Sequence, residues 1–104
     1  LVMGDMAELG EDAPRLHAEV GALARRSGIE QLYAVGPLSR HASEAFGAGA
    51  QHFADQGALV DALRPRLRTG VSVLVKGSRS SAMERVLRAL DAGAGSNGGK
   101  RHAA

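Results

Sequence analysis

The sequence has 104 residues, no cysteine and only 3% aromatic residues, so it is long enough for one domain with an aliphatic core and has neither disulfides nor thiolate metal sites. Its net charge of +2 comes from Lys100 and Arg101 near the carboxyl terminus, and residues 1–99 are balanced, without the basic surface of a nucleic-acid-binding protein. No apolar run approaches the ~20 residues of a membrane-spanning helix and no signal peptide opens the chain, so we expect a cytoplasmic protein without membrane contacts.

The first predicted elements are a strand and an amphipathic helix. Leu1–Met3 is the end of a strand that runs into Gly4. A helix is predicted from about Asp12 to Ser27, with Asp12 as its N-cap and Gly28 as its stop. Its buried face, at helical spacing, is predicted to consist of Leu16, Val20, Leu23 and Ala24.

A second strand, a second helix and a third strand follow. Leu32–Val35 is an apolar strand ended by Gly36. A helix is predicted from about Leu38 to Phe46, and Gln51–Phe53 is a short third strand. The helix is predicted to bury Leu38, Ala42, Ala45 and Phe46.

The next predicted helix begins at an aspartate and contains a proline. Asp55 is predicted to cap it. Pro65 should kink or end it near Arg64, because proline removes a backbone donor and clashes with the preceding turn. Its inward-facing residues are predicted to be Leu59, Val60, Leu63 and Leu67.

The clearest strand is Val71–Val75, because it is short, β-branched and nearly all apolar. Such a run is typical of a parallel strand covered on both faces. Ser81 and Glu84 form a capping box that begins the last helix. A domain over residues 1–91 is then followed by a Gly-rich, flexible tail over 92–104. The last helix is predicted to bury Met83, Val86, Leu87 and Leu90.

Strands and helices alternate along the chain with short connections. This pattern predicts right-handed βαβ units and an α/β fold with a mostly parallel sheet. Four strands are visible, fewer than the ~5–6 of a typical sheet, and the chain starts within a strand. We therefore expect that a first strand–helix unit is missing at the N-terminal end.

The loop after the Val71–Val75 strand has the strongest binding signal. Lys76, Gly77, Ser78 and Arg79 lead into a helix N-terminus, where free N–H groups and the helix dipole favour an anion. Gly77 allows close approach of the backbone, and Arg79 can bind a carboxylate or phosphate through two hydrogen bonds. The alternative is a solvated loop with a serine cap. Neither a P-loop pattern nor G-x-G-x-x-G occurs in the chain.

A second loop, residues 4–11, should lie at the same sheet edge, because the carboxyl ends of parallel strands meet there. Its carboxylates, Asp5 and Glu8, could orient a cation, an amine or a water; the alternative is turn chemistry, with Asp5 bonded to nearby backbone. For His17, partial burial or a hydrogen bond to this loop is favoured over a metal site, because no second ligand follows at i+4. Ser39 has no His or Asp partner that would make it a nucleophile.

Five blocks carry a resemblance to a known family. They are Val2–Glu11, Leu16–His17, Tyr33–Gly36, Val73–Arg79 and Met83–Glu84, in that order. Together they resemble the C-terminal domain of the Mur ligases over roughly residues 1 to 91. The Gly-Asp-Met-x-Glu-Leu-Gly and Lys-Gly-Ser-Arg blocks point to the member of the family that joins D-alanyl-D-alanine to UDP-N-acetylmuramoyl-tripeptide.

The resemblance implies a Rossmann-like substrate-binding domain, with helices on both faces of the sheet, from an ATP-dependent ligase of peptidoglycan precursor synthesis. ATP and Mg²⁺ would be held mainly by a central domain, which is also the partner of this one. Residues 76–79 would bind the carboxylate of D-alanyl-D-alanine, while Asp5 and Glu8 would face the cleft. No catalytic residue or metal ligand is expected in this chain, which alone should be inactive.

Two other hypotheses remain open from the residues. One is a free-standing anion-binding or regulatory module without catalysis. The other is an interaction domain whose open sheet edge pairs with a second copy of the chain.

Overall fold

Four short parallel strands form the sheet of the computed structural model, which describes residues 1–67, 71–77 and 82–94, without the side chains of 7–9 and 91–94. The sheet order is β3-β2-β1-β4, and each neighbouring pair is parallel. This confirms the predicted α/β fold. The strands are β1 Val2–Met3, β2 Leu32–Val35, β3 Ala50–Phe53 and β4 Val75–Lys76.

The winding of the sheet reverses direction once. From β1 the chain moves outward through β2 to β3, and it then crosses back to place β4 on the other side of β1. Val2 of β1 is in register with Tyr33 of β2 and with Val75 of β4. The reversal therefore lies between β1 and β4, and open α/β sheets bind ligands at the carboxyl ends of the strands at such a switch point.

Helices cover both faces of the sheet, as predicted. Because successive strand residues point to opposite faces, Met3 packs with the first two helices and Val2 with the last two. None of the helices in the described ranges is long and apolar enough to cross a membrane. The helices are α1 Ala13–Arg26, α2 Ser39–Phe46, α3 Gln56–Leu63 and α4 Glu84–Ala94, with 3₁₀ turns over Ala7–Asp12 and Arg64–Arg66.

Helix α1 buries Ala24 and packs Val20 against the core as predicted, but the rest of its buried stripe differs from the predicted one. Leu23 was expected inside, but its side chain is 56% exposed. The helix instead contacts α2 through small residues, because a Cβ on Gly21 would overlap the carbonyl oxygen of Ala42. The hydrophobic pattern misplaces the face because it weights large side chains, whereas this contact needs their absence. The buried residues of α1 are Ala13, His17, Gly21 and Ala24.

Of the two predicted ends of α1, the first lacks the expected side-chain cap and the second is confirmed. Asp12 makes no side-chain capping bond to the helix. Gly28, at φ +87°, ends it as expected. The N–H of Ile29 donates to the Ala24 carbonyl and that of Gly28 to the Arg25 carbonyl, both at 3.2 Å, which is a Schellman motif.

Helices α2 and α3 mostly follow the sequence pattern. In α2 the prediction for Ala45 is wrong, because Ala45 is exposed and Ser39 is buried. Asp55 caps α3 by accepting a hydrogen bond from the Ala58 N–H at 2.8 Å. Pro65 lies in the 3₁₀ turn that follows Leu63, so the helix ends where its clash with the preceding turn requires.

The fourth strand is shorter and more exposed than predicted. Pairing covers only Val75–Lys76 rather than Val71–Val75. Val73 and Val75 are buried, but Val71 and Leu74 are 38% and 39% exposed. The apolar run is not covered on both faces, because β4 lies at the edge of the described sheet.

The last helix has the predicted buried face. Met83, Val86 and Leu90 are buried, and Leu87 packs against them while partly exposed. The helix continues to Ala94, past the predicted start of the tail at residue 92. Ser81, the first residue of the predicted capping box, lies outside the described residues.

Candidate functional site

The first and fourth strands bring two of the predicted loops together. The Gly4 N–H donates a hydrogen bond to the Lys76 carbonyl oxygen at 2.8 Å, immediately beyond the paired residues. The loop that carries Asp5 and the loop that carries Gly77 therefore start side by side at the switch point. We call this place, residues 4–6 and 76–77, the switch-point edge.

Asp5 connects this edge to the second helix. Its Oδ1 accepts a hydrogen bond from the Ser39 N–H at 2.8 Å, and its Oδ2 accepts one from the Leu38 N–H at 3.2 Å. These N–H groups begin α2 and have no partner within the helix, and the helix dipole favours a carboxylate there. Asp5 thus binds backbone, as in the turn-type alternative, but that backbone lies more than 30 residues away in sequence.

Gly36 is required for this contact. Its φ is +108°, and a Cβ at this position would overlap the Asp5 carboxylate. Because glycine alone adopts such a φ at little cost, Gly36 gives the Asp5 side chain room against the start of α2.

His17 fixes the next residue of the same loop. The Met6 N–H donates to its Nε2 at 3.0 Å, and its Nδ1 lies 2.6 Å from the Ala13 carbonyl oxygen. Because an N–H can only donate, Nε2 is unprotonated and Nδ1 carries the proton. His17 is fully buried, so the sequence-based preference for a hydrogen bond to this loop is confirmed. Within the described ranges, no three His, Asp or Glu residues are grouped closely enough to hold a metal ion.

The start of helix α3 also contributes a side chain at this edge, which the sequence analysis missed. The Gln56 amide at the start of α3 donates to the Ala82 carbonyl at 3.2 Å and lies 3.7 Å from the Met83 sulfur. Ala82 has a φ of +52°, which is uncommon for alanine. The parallel topology, which brings the β3–α3 loop to the same edge, was the only signal that could have pointed to Gln56.

The predicted anion-binding loop is partly described. Lys76 is exposed, and its ammonium group has no hydrogen bond or ion pair with any residue that the structure describes. Gly77 is also exposed. Ser78, Arg79 and the side chain of Glu8 lie outside the described residues, so their contact with a ligand stays a prediction.

A separate cavity lies at the opposite, amino-terminal edge of the sheet. It has a volume of about 510 Å³, and both apolar side chains and the polar residues Glu30, Gln31, Arg66 and Ser72 line it. The length of the strands separates it from Asp5 and Lys76. Its lining includes Leu1, Tyr33, Leu63, Val71 and Val73.

The family of the chain follows from comparison with known proteins. A family profile described as "Mur ligase, glutamate ligase domain" matches residues 1–79, which include the residue 4–11 loop and the Lys76–Arg79 block. The chain belongs to the Mur ligase family. The predicted family resemblance is therefore confirmed.

Relatives within the Mur ligase family share much of the chain. The UDP-N-acetylmuramoyl-tripeptide–D-alanyl-D-alanine ligase of Escherichia coli (strain K12) is 47% identical over 92 residues, which are 86% of this chain and 20% of that protein. The ligase of the same name from Mycobacterium tuberculosis (strain H37Rv) is 38% identical over 108 residues. The chain spans about a fifth of the length of these relatives.

Solved structures of the Mur ligase family have the same fold. A crystal structure of MurF from Acinetobacter baumannii superposes with a TM-score of 0.75 at 29% identity, over 86% of this chain and 21% of that one. A second crystal structure of the same protein gives 0.74. These matches confirm the fold and the family at once.

Ser39 is not suited to nucleophilic catalysis in this Mur ligase domain. Its side chain is fully buried, and its Oγ has no hydrogen-bond partner among the described residues. We expect Ser39→Ala to leave the free energy of unfolding unchanged or to raise it by up to about 1 kcal/mol, because removing an unsatisfied buried hydroxyl removes a desolvation cost.

Urea unfolding of Ser39→Ala and of Ser43→Ala, on the same helix, would measure the effect. The bond from the residue 39 N–H to Asp5 uses backbone and is kept in the variant. A loss of more than about 1 kcal/mol would contradict an unsatisfied hydroxyl.

Proposed function

We propose that the chain is the C-terminal, substrate-binding domain of a UDP-N-acetylmuramoyl-tripeptide–D-alanyl-D-alanine ligase, a cytoplasmic enzyme of peptidoglycan precursor synthesis. The 47% identity to the E. coli ligase of that name supports the choice within the family. The observation that carries the proposal is the switch-point edge, where a bond from Gly4 to Lys76 joins two loops. The Lys76 ammonium group beside them is exposed and has no partner among the residues that the structure describes.

The proposed role of this edge is to bind the incoming D-alanyl-D-alanine. The ammonium of Lys76, the guanidinium of Arg79 and the hydroxyl of Ser78 would bind the dipeptide carboxylate, which Arg79 can hold through two hydrogen bonds. Gly77 would let the carboxylate approach the backbone. Asp5 would act from the opposite side of the edge by holding the start of α2, and Glu8 would face the same cleft.

The nucleotide and its metal ion are proposed to bind mainly outside this chain. Its sequence has no P-loop pattern, and its described residues contain no group of three metal-ligating side chains. We therefore propose that ATP, which would activate the carboxyl group of the UDP-N-acetylmuramoyl-tripeptide, and Mg²⁺ are bound mainly by a central domain. The isolated chain is expected to form no product, and its partner would be that central domain.

Replacement of Arg79 tests the proposal. In the intact ligase that contains this chain, Arg79→Ala is expected to raise the KM for D-alanyl-D-alanine about tenfold or more, because a charge-assisted, two-bond contact is worth about 1.5–3 kcal/mol. The KM for ATP should change less than about twofold, because the nucleotide contacts other parts of the enzyme. Steady-state kinetics with each substrate varied in turn would measure both.

Arg88→Ala is the matched control. Arg88 is an exposed arginine of α4, with 74% of its side chain accessible and a weak pair to Glu84 at 3.9 Å. The Arg88→Ala variant should leave the KM for D-alanyl-D-alanine and the KM for ATP unchanged. An unchanged dipeptide KM in Arg79→Ala would reject the assignment of this loop to D-alanyl-D-alanine.

The free-standing binding module is not favoured, because the relatives are ligases.

A further inference from the structure

Three consecutive residues at the switch-point edge are each bonded to a different element. The Gly4 N–H is bonded to the end of β4, the Asp5 carboxylate to the start of α2, and the Met6 N–H to His17 in α1. Residues 4–6 are therefore held at every position by a contact outside the loop. Since one of these contacts is to Lys76 itself, the position of this segment fixes that of Lys76, the first residue of the proposed anion-binding loop.

The hydrogen bond between the Met6 N–H and His17 does more than fill space in the core. An apolar side chain would fill the same buried space, but only an acceptor can satisfy the Met6 N–H. The bond from Nδ1–H to the Ala13 carbonyl fixes the ring, so that Nε2 points at Met6. The position of His17 on α1 therefore determines the position of Met6 through one hydrogen bond.

We propose that His17 and Asp5 are positioning residues for dipeptide binding: they hold residues 4–6 so that Gly4 places Lys76 against the substrate carboxylate. This inference rests on the proposed function. Neither side chain need touch substrate, because each acts through backbone that leads to Gly4. Small displacements matter, since a shift of about 1 Å in a substrate-positioning group can lower activity by orders of magnitude.

The test compares two variants of nearly equal shape in the intact ligase. His17→Gln keeps an acceptor near the position of Nε2, whereas His17→Met fills the space without a comparable one. We expect His17→Met to raise the KM for D-alanyl-D-alanine about tenfold, with the KM for ATP unchanged, and His17→Gln to restore the dipeptide KM to within about threefold of the wild type. Equal dipeptide KM values in the two variants would overturn the proposal.

Hydrogen exchange gives a readout that does not depend on activity. Mass spectrometry of the intact ligase should show faster exchange in peptides from residues 1–10 for His17→Met than for His17→Gln, with peptides from α3, residues 56–63, unchanged. If Arg79→Ala fails to raise the dipeptide KM while this exchange difference is seen, the proposed function is wrong, and only the statement that His17 holds residues 4–6 in place stands. If Arg79→Ala raises it and the exchange difference is missing, the positioning role is wrong.

Asp5 provides a second pair if His17→Met does not fold. Asp5→Asn keeps an oxygen that can accept the Ser39 N–H, and Asp5→Ala removes it. The same ordering is expected: a dipeptide KM raised about tenfold in Asp5→Ala and a smaller rise in Asp5→Asn. Two equal rises, or none, would reject the role of Asp5.

Discussion

Replacing Gly21 by alanine is expected to lower the free energy of unfolding by about 3 kcal/mol. The added Cβ would overlap the carbonyl oxygen of Ala42 and lie 2.8 Å from its carbonyl carbon and Cα. All three are backbone atoms of α2, so no side-chain rotation relieves the overlap and the two helices must separate. Alanine is the better helix former by about 1 kcal/mol, which offsets only part of this cost.

Chemical denaturation of Gly21→Ala beside Leu23→Ala would measure the effect. Leu23 lies on the same helix and was predicted to be buried, but its side chain is 56% exposed. Its truncation should therefore cost less than about 1 kcal/mol, against about 2–5 kcal/mol for a buried leucine. A Gly21→Ala domain as stable as the wild type would show that α1 and α2 are not in backbone contact.

Gly36→Ala should have the second large effect, a loss of about 3 kcal/mol together with weaker dipeptide binding. Alanine at a φ of +108° is strained by about 1–3 kcal/mol. Its Cβ would also lie 2.6 Å from Cγ and 2.8 Å from Oδ2 of Asp5, which would push the carboxylate away from the α2 amides. Removing such a cap costs a further ~1 kcal/mol.

Gly28→Ala separates the cost of backbone strain from the cost of losing the Asp5 contact. Gly28 has a φ of +87°, but a Cβ there would meet nothing within 4 Å. It should lose stability through backbone strain alone and leave the dipeptide KM of the intact ligase unchanged. Equal effects of the two substitutions on unfolding and on KM would show that the Asp5 contact does not matter. Thermal unfolding and steady-state kinetics of both variants would decide.

Much of the fold follows from local rules that act on neighbouring residues. The limits of β2, the cap at Asp55 and the helix end before Pro65 agree with the structure, because each depends on side chains a few positions apart. The burial of α1 and the exposure of Leu74 do not follow from such rules. They depend on which elements become neighbours, which hydrophobic spacing leaves open.

The candidate site shows the same division. The strand-to-helix pattern predicts that the Asp5 and Lys76 loops share one edge, and a backbone hydrogen bond between Gly4 and Lys76 joins them there. The contact of Asp5 with the start of α2 spans more than 30 residues and depends on a glycine that makes room for it. Gln56 was missed because a glutamine at the start of a helix resembles any solvated polar residue until its neighbour is known.

The two-residue pairing of β1 with β4 has a consequence for the ligase cycle. β1 pairs over only two residues with β2 on one side and with β4 on the other, so little backbone pairing holds the seam where the proposed substrate binds. A dipeptide bound by Lys76 at the end of β4 would lie next to the loop that Asp5 and His17 hold at the end of β1. The bound dipeptide would then link the two strands. Substrate binding would therefore also stiffen the domain. Part of the free energy of binding would favour the closed arrangement that a ligation step in a multi-domain enzyme needs.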